Sequence, residues 1–252
     1  MASPSWQERW THPKDTVVII TGAGSGIGMA TALLAAQQGY QVAGWDISEQ
    51  GVLKTKELAG ELASQIHPIV CDIADENAVK EAMAATEKIG KPHMLVNNAG
   101  PVAIGKPRSF LEMMDAAMRM ISLPTVAFLE TQPAQGASIV NISSVVGAVF
   151  GGGGSWYAAA KAGIVGYTKN LACEQKGHIR VNAIAPGGPI HTPRNDKFLK
   201  EGVFKKHLER NPTGRPGTAD ELANGVLFLL SPAASYINGH TLVIDGGLSI
   251  AE

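Results

Sequence analysis

Only two cysteines, Cys71 and Cys173, occur in the 252 residues, and neither has a partner at metal-ligand spacing. A disulfide scaffold is not indicated, and a reducing compartment is the simplest setting. Net charge is also nearly absent, at a formal −1. The chain thus lacks both the basic footprint of a nucleic-acid binder and a polybasic membrane patch. No apolar run reaches the roughly eighteen residues that span a bilayer. Residues 1–15 are polar and lack the charged start and apolar core of a signal peptide. They read as a loose tail on a soluble, cytoplasmic protein. Internal repeats and low-complexity linkers are missing too, so one domain is expected over residues 16–252. With 45% hydrophobic and 17% charged residues, the chain has the composition of an ordinary globular protein.

Glycine, by contrast, is abundant and placed. Residues 16–20, Thr-Val-Val-Ile-Ile, suit a strand buried on both faces. Residues 21–28 follow as Thr-Gly-Ala-Gly-Ser-Gly-Ile-Gly, and a helical pattern over 27–38 ends at Gly39. A strand, a glycine-rich turn and a helix are the context a dinucleotide site requires. Glycines let the backbone approach a pyrophosphate, and the helix start offers free N–H groups with partial positive charge. The plainer reading is a tight turn without a ligand; four glycines in that context weigh against it.

A second strand over 41–45 ends in Asp46. An acidic residue about twenty positions beyond the glycine loop suits the adenosine ribose hydroxyls. The alternative is that Asp46 or Ser48 only caps the next helix. A carboxylate there repels a 2′-phosphate by about 4 kcal/mol at ~4 Å and an effective dielectric of ~20. No Arg or Lys stands at Ser25, Ile47 or Ser48 to offset it, so the expected cofactor is NAD. Further helices are expected over 52–64 and 76–89, and strands over 66–71 and 94–96, the latter running into Asn97-Asn98-Ala99-Gly100. This alternation indicates an α/β fold, a doubly wound parallel sheet with helices on both faces. Gly22, Asp46, Asp72, Asn98 and Ser144 all fall at strand ends, where such sheets bind ligands.

Residues 144–161 carry the chemistry: a hydroxyl at Ser144, a phenol at Tyr157 and an amine at Lys161. Tyr157 and Lys161 are four apart, on one face of a helix. A Lys ammonium beside a phenol favours the phenolate, so Tyr157 becomes a usable proton donor and acceptor near neutral pH. Alone the pair is weak evidence, because Tyr and Lys at this spacing also occur on solvated helices. Its order relative to the other motifs raises its weight. Thr-Gly-x-x-x-Gly-Ile-Gly at 21–28, Asn-Asn-Ala-Gly at 97–100, Ser144, Tyr157-x-x-x-Lys161, Arg180-Val181-Asn182, Pro186-Gly187 and Ile244-Asp245-Gly246-Gly247 follow one another. In this the chain resembles the classical short-chain dehydrogenase/reductase family, over residues 16–249.

That resemblance implies a Rossmann-type fold and a set of roles. Tyr157 is the general acid/base, Lys161 supports its ionised form and holds the nicotinamide ribose, and Ser144 orients the substrate oxygen. Gly22, Ser25, Gly26, Ile27, Gly28, Asp46, Asp72, Ile73 and Asn98 bind the cofactor, and Ile190 and Thr192 contact the nicotinamide carboxamide. The implied reaction interconverts a ketone and a secondary alcohol with NAD, and no metal. The alternatives are a 3-oxoacyl carrier-protein reductase, whose wording residues 144–147 and 157–163 resemble, and a non-catalytic dinucleotide-binding protein. The expected partner is a small carbonyl or alcohol substrate, with no nucleic acid and no membrane.

Four departures from the family stand out. Where a helix Asn usually supports a relay water, this chain reads Ile121-Ser122-Leu123-Pro124. Pro124 has no N–H, so in a helix the Met120 carbonyl loses its partner; that carbonyl and the Ser122 hydroxyl are candidate replacements. Residues 123–137 are fewer than the counterpart, a helix that commonly lies at a subunit interface, so a homo-oligomer is expected with dimer or tetramer open. Residues 186–192 carry one residue more than usual before Ile190, and a polar, charged loop to about Pro212 follows. There His191 reads as solvent-exposed rather than as facing the site. Finally, four glycines at 151–154 read either as a border that admits a bulky substrate or as a plain flexible turn.

Overall fold

The computed structural model describes residues 16–100 and 109–251. The 1–15 tail and all of residues 101–106, beyond Asn97-Asn98-Ala99-Gly100, lie outside them. In chain order the elements are β1 (Val17–Thr21), α1 (Gly26–Gln37), β2 (Gln41–Asp46), α2 (Glu49–Leu58), β3 (Ile66–Val70), α3 (Glu76–Glu87), β4 (Pro92–Asn97) and α4 (Phe110–Glu130). There follow β5 (Ala137–Ile142), a single turn α5 (Val145–Ala148), α6 (Ser155–Glu174), β6 (Ile179–Pro186), β7 (Ile190–His191), α7 (Pro193–Lys200), α8 (Lys205–Arg210), β8 (Gly217–Thr218), α9 (Ala219–Leu230) and β9 (Thr241–Ile244).

Seven strands form one parallel sheet in the order β3-β2-β1-β4-β5-β6-β9. The β-branched run of β1 is buried throughout, as a central strand covered on both faces must be. Alternate residues feed two cores. Val18, Ile20, Val42, Val96, Val140 and Ile184 pack with residues of α1, α2 and α9. Ile19, Trp45, Leu95, Ile139 and Val181 pack with residues of α3, α4 and α6. Helices therefore cover both faces, with β3 and β9 at the edges. Among the described residues no helix is long and apolar enough to cross a membrane.

Helix ends follow local chemistry. Ser109 with Glu112, and Thr218 with Glu221, form capping boxes at the starts of α4 and α9. Gly39, at φ +87°, ends α1. Two details differ from the sequence expectation. Helix α2 stops at Leu58 because Gly60 adopts φ +56°, and residues 60–65 continue as a 3-10 turn. The charged stretch after Ile190 is not a loop but two helices, α7 and α8, flanked by the short paired strands β7 and β8. Pro124 lies inside α4, where the helix continues through it.

Candidate active site

The glycine turn is set by what surrounds it. Gly22 takes φ +69° and donates its N–H to the Trp45 carbonyl at 2.7 Å. A Cβ at Gly28 would collide with the Gly22 carbonyl oxygen, so only glycine lets α1 start this close to β1. Ser25 caps α1 with no side-chain bond, and no acidic residue stands in the first turn. The helix start therefore presents unblocked N–H groups, the environment an anionic diphosphate requires. Gly26 and Ile27 form that first turn, and Thr192, which precedes α7, lies against Gly26: a Cβ there would be 3.3 Å from Thr192 Cγ2.

Asp46 braces this turn. Its Oδ2 accepts from Gly24 N at 2.8 Å and its Oδ1 from Ser48 N at 2.8 Å. Ser48 is the residue that caps α2, accepting from Gly51 N. The capping alternative thus holds for Ser48, while Asp46 faces the glycine turn, half-buried at the carboxyl end of β2. Asp72 accepts from Ala74 N at 3.0 Å in a tight turn beyond β3, and Ile73 beside it is buried. Asn98 closes the floor: its Nδ2 donates to the Thr21 carbonyl at 2.9 Å and its N–H to Thr21 Oγ1 at 3.0 Å. Ile190 is buried in β7, and its carbonyl accepts from Asn195 Nδ2 at 3.0 Å.

Ser144, 8% exposed, follows β5, and its Oγ accepts from Val146 N at 3.2 Å. Tyr157 and Lys161 stand on α6, with Lys161 Nζ 5.8 Å from the centre of the Tyr157 ring. The Lys161 ammonium also donates to the Ile142 carbonyl at 2.7 Å, and Ser143 Oγ donates to the Lys161 carbonyl at 2.8 Å. The amine is thereby held against the end of the strand that carries Ser144. Trp156 packs edge-on to Tyr157, with ring centres 5.6 Å apart. Gly147, at φ +91°, lets the Ser144 turn lie on α6, since a Cβ there would strike the Ala158 carbonyl.

The structure brings the carboxyl ends of β1, β2, β4 and β5 to one edge, and with them Gly22, Asp46, Asn98 and Ser144; Asp72 follows the outermost strand. His191 lies outside this group; its side chain is 58% exposed, with Nδ1 3.6 Å from Asp196 Oδ1. Gly151, Gly152 and Gly153 are exposed ahead of α6, and Gly154 caps it. Two contributors were not singled out from sequence. Thr21 Oγ1 accepts from the N–H groups of Asn98 and Ala99 and donates to the Val96 carbonyl. Gly24 is the partner of Asp46. Both lie within the glycine motif, but only the folded chain shows what they touch. Among the described residues no group of three or more His, Cys, Asp or Glu side chains converges as a metal site would require.

Comparison with known proteins adds to this geometry. A family model described as enoyl-(acyl carrier protein) reductase matches residues 22–249. The 3-oxoacyl-[acyl-carrier-protein] reductase of Thermotoga maritima is 40% identical over 247 residues, covering 93% of this chain and 98% of that one. Among solved structures, a 3-ketoacyl-(acyl-carrier-protein) reductase from Brucella melitensis complexed with NADH superposes with a TM-score of 0.81 at 32% identity, covering 94% and 99% of the two chains. A putative NAD(P)-dependent gluconate 5-dehydrogenase from Beutenbergia cavernae with bound NADP gives a TM-score of 0.83 at 30% identity, covering 94% and 98%.

Proposed function

The chain belongs to the short-chain dehydrogenase/reductase family of oxidoreductases, and from that premise we propose that it interconverts a ketone and a secondary alcohol with NAD(H), using Tyr157, Lys161 and Ser144. The observation that carries this reading is the attachment of Lys161 to the Ile142 carbonyl. It fixes the amine beside Tyr157 and next to the strand end that bears Ser144. The turn from Gly22 to Gly28, the unblocked start of α1 and Asn98 would hold the dinucleotide, Ile190 and Thr192 would meet its nicotinamide end, and Asp72 and Ile73 would flank its adenine end. Bound NADH supplies the hydride.

The residues then act as follows. Ser144 Oγ donates to the substrate carbonyl oxygen and orients it. Tyr157 donates its phenolic proton to that oxygen as it becomes an alcohol. The Lys161 ammonium favours the phenolate left behind. In oxidation Tyr157 takes the proton from the alcohol. Asp46 sets the preference for NAD: its carboxylate, turned toward the glycine turn, disfavours a 2′-phosphate. A second reading, reduction of a 3-oxoacyl thioester on a carrier protein, is favoured by the Thermotoga maritima relative. Neither Ser122 nor the Met120 carbonyl enters a required step; a role in relaying protons rests on Pro124, inside α4, having no N–H to offer that carbonyl. The family resemblance supports a homo-oligomer.

The test is NADH consumption on a panel of ketones and 3-oxoacyl thioesters. Tyr157→Phe should lower kcat by about 10²- to 10⁴-fold, the range for a lost general acid, with NADH still bound. Equal turnover in both proteins would refute the assignment.

A further inference from the structure

On the sheet face toward α4 and α6, the apolar pattern stops one residue short of the strand ends. Along β4, Leu95 is followed on this face by Asn97, and along β5, Ile139 is followed by Asn141. The two amides are neighbours in register. Asn97 Nδ2 donates to Asn141 Oδ1 and to Thr125 Oγ1 of α4, both at 2.9 Å. Asn141 Nδ2 donates to Thr168 Oγ1 of α6 at 2.9 Å. Thr125 and Thr168 pass their own hydroxyl protons to the carbonyls of Ile121 and Ile164. All four side chains are within 4% of complete burial.

For stability alone this is a poor arrangement. Asn97 Oδ1 is buried without a hydrogen-bond partner, an uncompensated desolvation penalty. Apolar residues of the same shape would avoid that, since a partly satisfied buried network is worse than an apolar core. The location supplies another purpose. Three successive residues of one strand end grip α6: Asn141 holds Thr168, the Ile142 carbonyl accepts from Lys161, and Ser143 holds the Lys161 carbonyl. Thr168 lies seven residues beyond Lys161, two turns along the same helix face. Two separated attachments set both the height and the rotation of a helix. Without the Thr168 attachment, the side-chain hydrogen bonds between α6 and this strand end among the described residues are those at Lys161.

We propose that Asn141 and Thr168 are positioning residues: their hydrogen bond, carried on by Asn97 to Thr125, sets α6 against β5 and so places Tyr157 and Lys161 relative to Ser144. This rests on the catalytic reading above. A displacement of about 1 Å at a reacting group is worth on the order of 10²-fold in rate.

The experiment compares Thr168→Val, Thr168→Ser and the double variant Asn141→Leu with Thr168→Val. Thr168→Val strands the Asn141 amide and should lower both stability and kcat. The double variant removes both members of that pair and leaves Asn97 its bond to Thr125, so its melting temperature should rise above that of Thr168→Val while kcat stays at least ~10-fold down and the pH midpoint of turnover stays displaced. Thr168→Ser should restore kcat, and NADH affinity should hold throughout. A double variant with wild-type kcat and wild-type pH midpoint would overturn the proposal, as would kcat that simply tracks melting temperature across the series. A readout independent of turnover is the pH midpoint of the Tyr157 phenolate absorbance, taken as the difference from the same protein carrying Tyr157→Phe. A shift of that midpoint in Thr168→Val supports positioning, and an unchanged midpoint refutes it. Absence of turnover in the wild type would instead refute the oxidoreductase reading, leaving the absorbance test to decide the positioning role.

Discussion

At Gly147 a single hydrogen atom in place of a side chain lets the Ser144 turn rest on α6. Its φ of +91° is one that L side chains rarely adopt, and an added Cβ would meet the Ala158 carbonyl. Gly147→Ala should therefore lower stability by about 2 kcal/mol. It should also reduce kcat more than NADH affinity, because it separates Ser144 from Tyr157. Chemical denaturation and steady-state kinetics check both parts, and a variant with wild-type kcat would show that the turn can shift freely. Ser144, Tyr157 and Asp46 stood out in the sequence through the order of the motifs around them, not through any one spacing, since Tyr and Lys four apart also occur on solvated helices. Thr21, Gly24, Asn97 and Asn141 were not singled out. Their roles are contacts between strands distant in sequence, and a buried Asn at a strand end looks in sequence like an Asn facing a ligand.

Among the elements, α9 shows how polar ends are settled at both termini. Its last turn is closed by Arg180 of β6, a buried guanidinium that donates to the carbonyls of Leu229, Leu230, Ser231 and Ala234 at 2.7–3.1 Å. Burial lowers the Arg180 pKa from its usual value, yet the carbonyls at a helix C-terminus are where a cation is most stable. Arg180→Met should strip these acceptors and cost about 3 kcal/mol or more, read as a lower urea midpoint with an unchanged slope. At the other end Glu221 caps the helix and takes two bonds from Arg215. The Arg215 hydrogen bond first, then the Thr218 backbone, hold its carboxyl down from 4.5 to about 2. Because the folded value is the lower one, the stabilisation is complete above pH 4.5 and is lost as pH falls toward about 2. The melting-temperature difference between wild type and Glu221→Gln should therefore narrow across that window and be flat above it. A difference that stays constant through acid would remove Glu221 from the cap. Element types were largely legible from strand burial and helix periodicity. The early end of α2 was not, because Gly60 reads equally as a helix interior or a stop. Nor were α7 and α8, which are short and rich in charged residues.

Across the whole molecule, the two thiols report on the integrity of the sheet. Cys71, buried just after β3, is pushed up to about 12 by burial first and then by Asp72 and Asp75, while Cys173 is exposed. A thiol reagent at neutral pH should label one cysteine in the native protein and both in denaturant; two rapid reactions in the native state would mean that the β3 edge opens. The alternation of strands and helices made the doubly wound sheet legible. The convergence of its strand ends then followed from topology, since parallel strands put all their carboxyl ends on one side. What the topology left open was how α6 is registered on β5, a matter of side chains meeting across the core. The most direct measurement is the ratio of catalytic efficiencies with NADH and NADPH on the ketones that turn over, in wild type and Asp46→Ala. NADH should win by orders of magnitude, and Asp46→Ala should narrow the gap. Preference for NADPH in the wild type would contradict the assignment of Asp46.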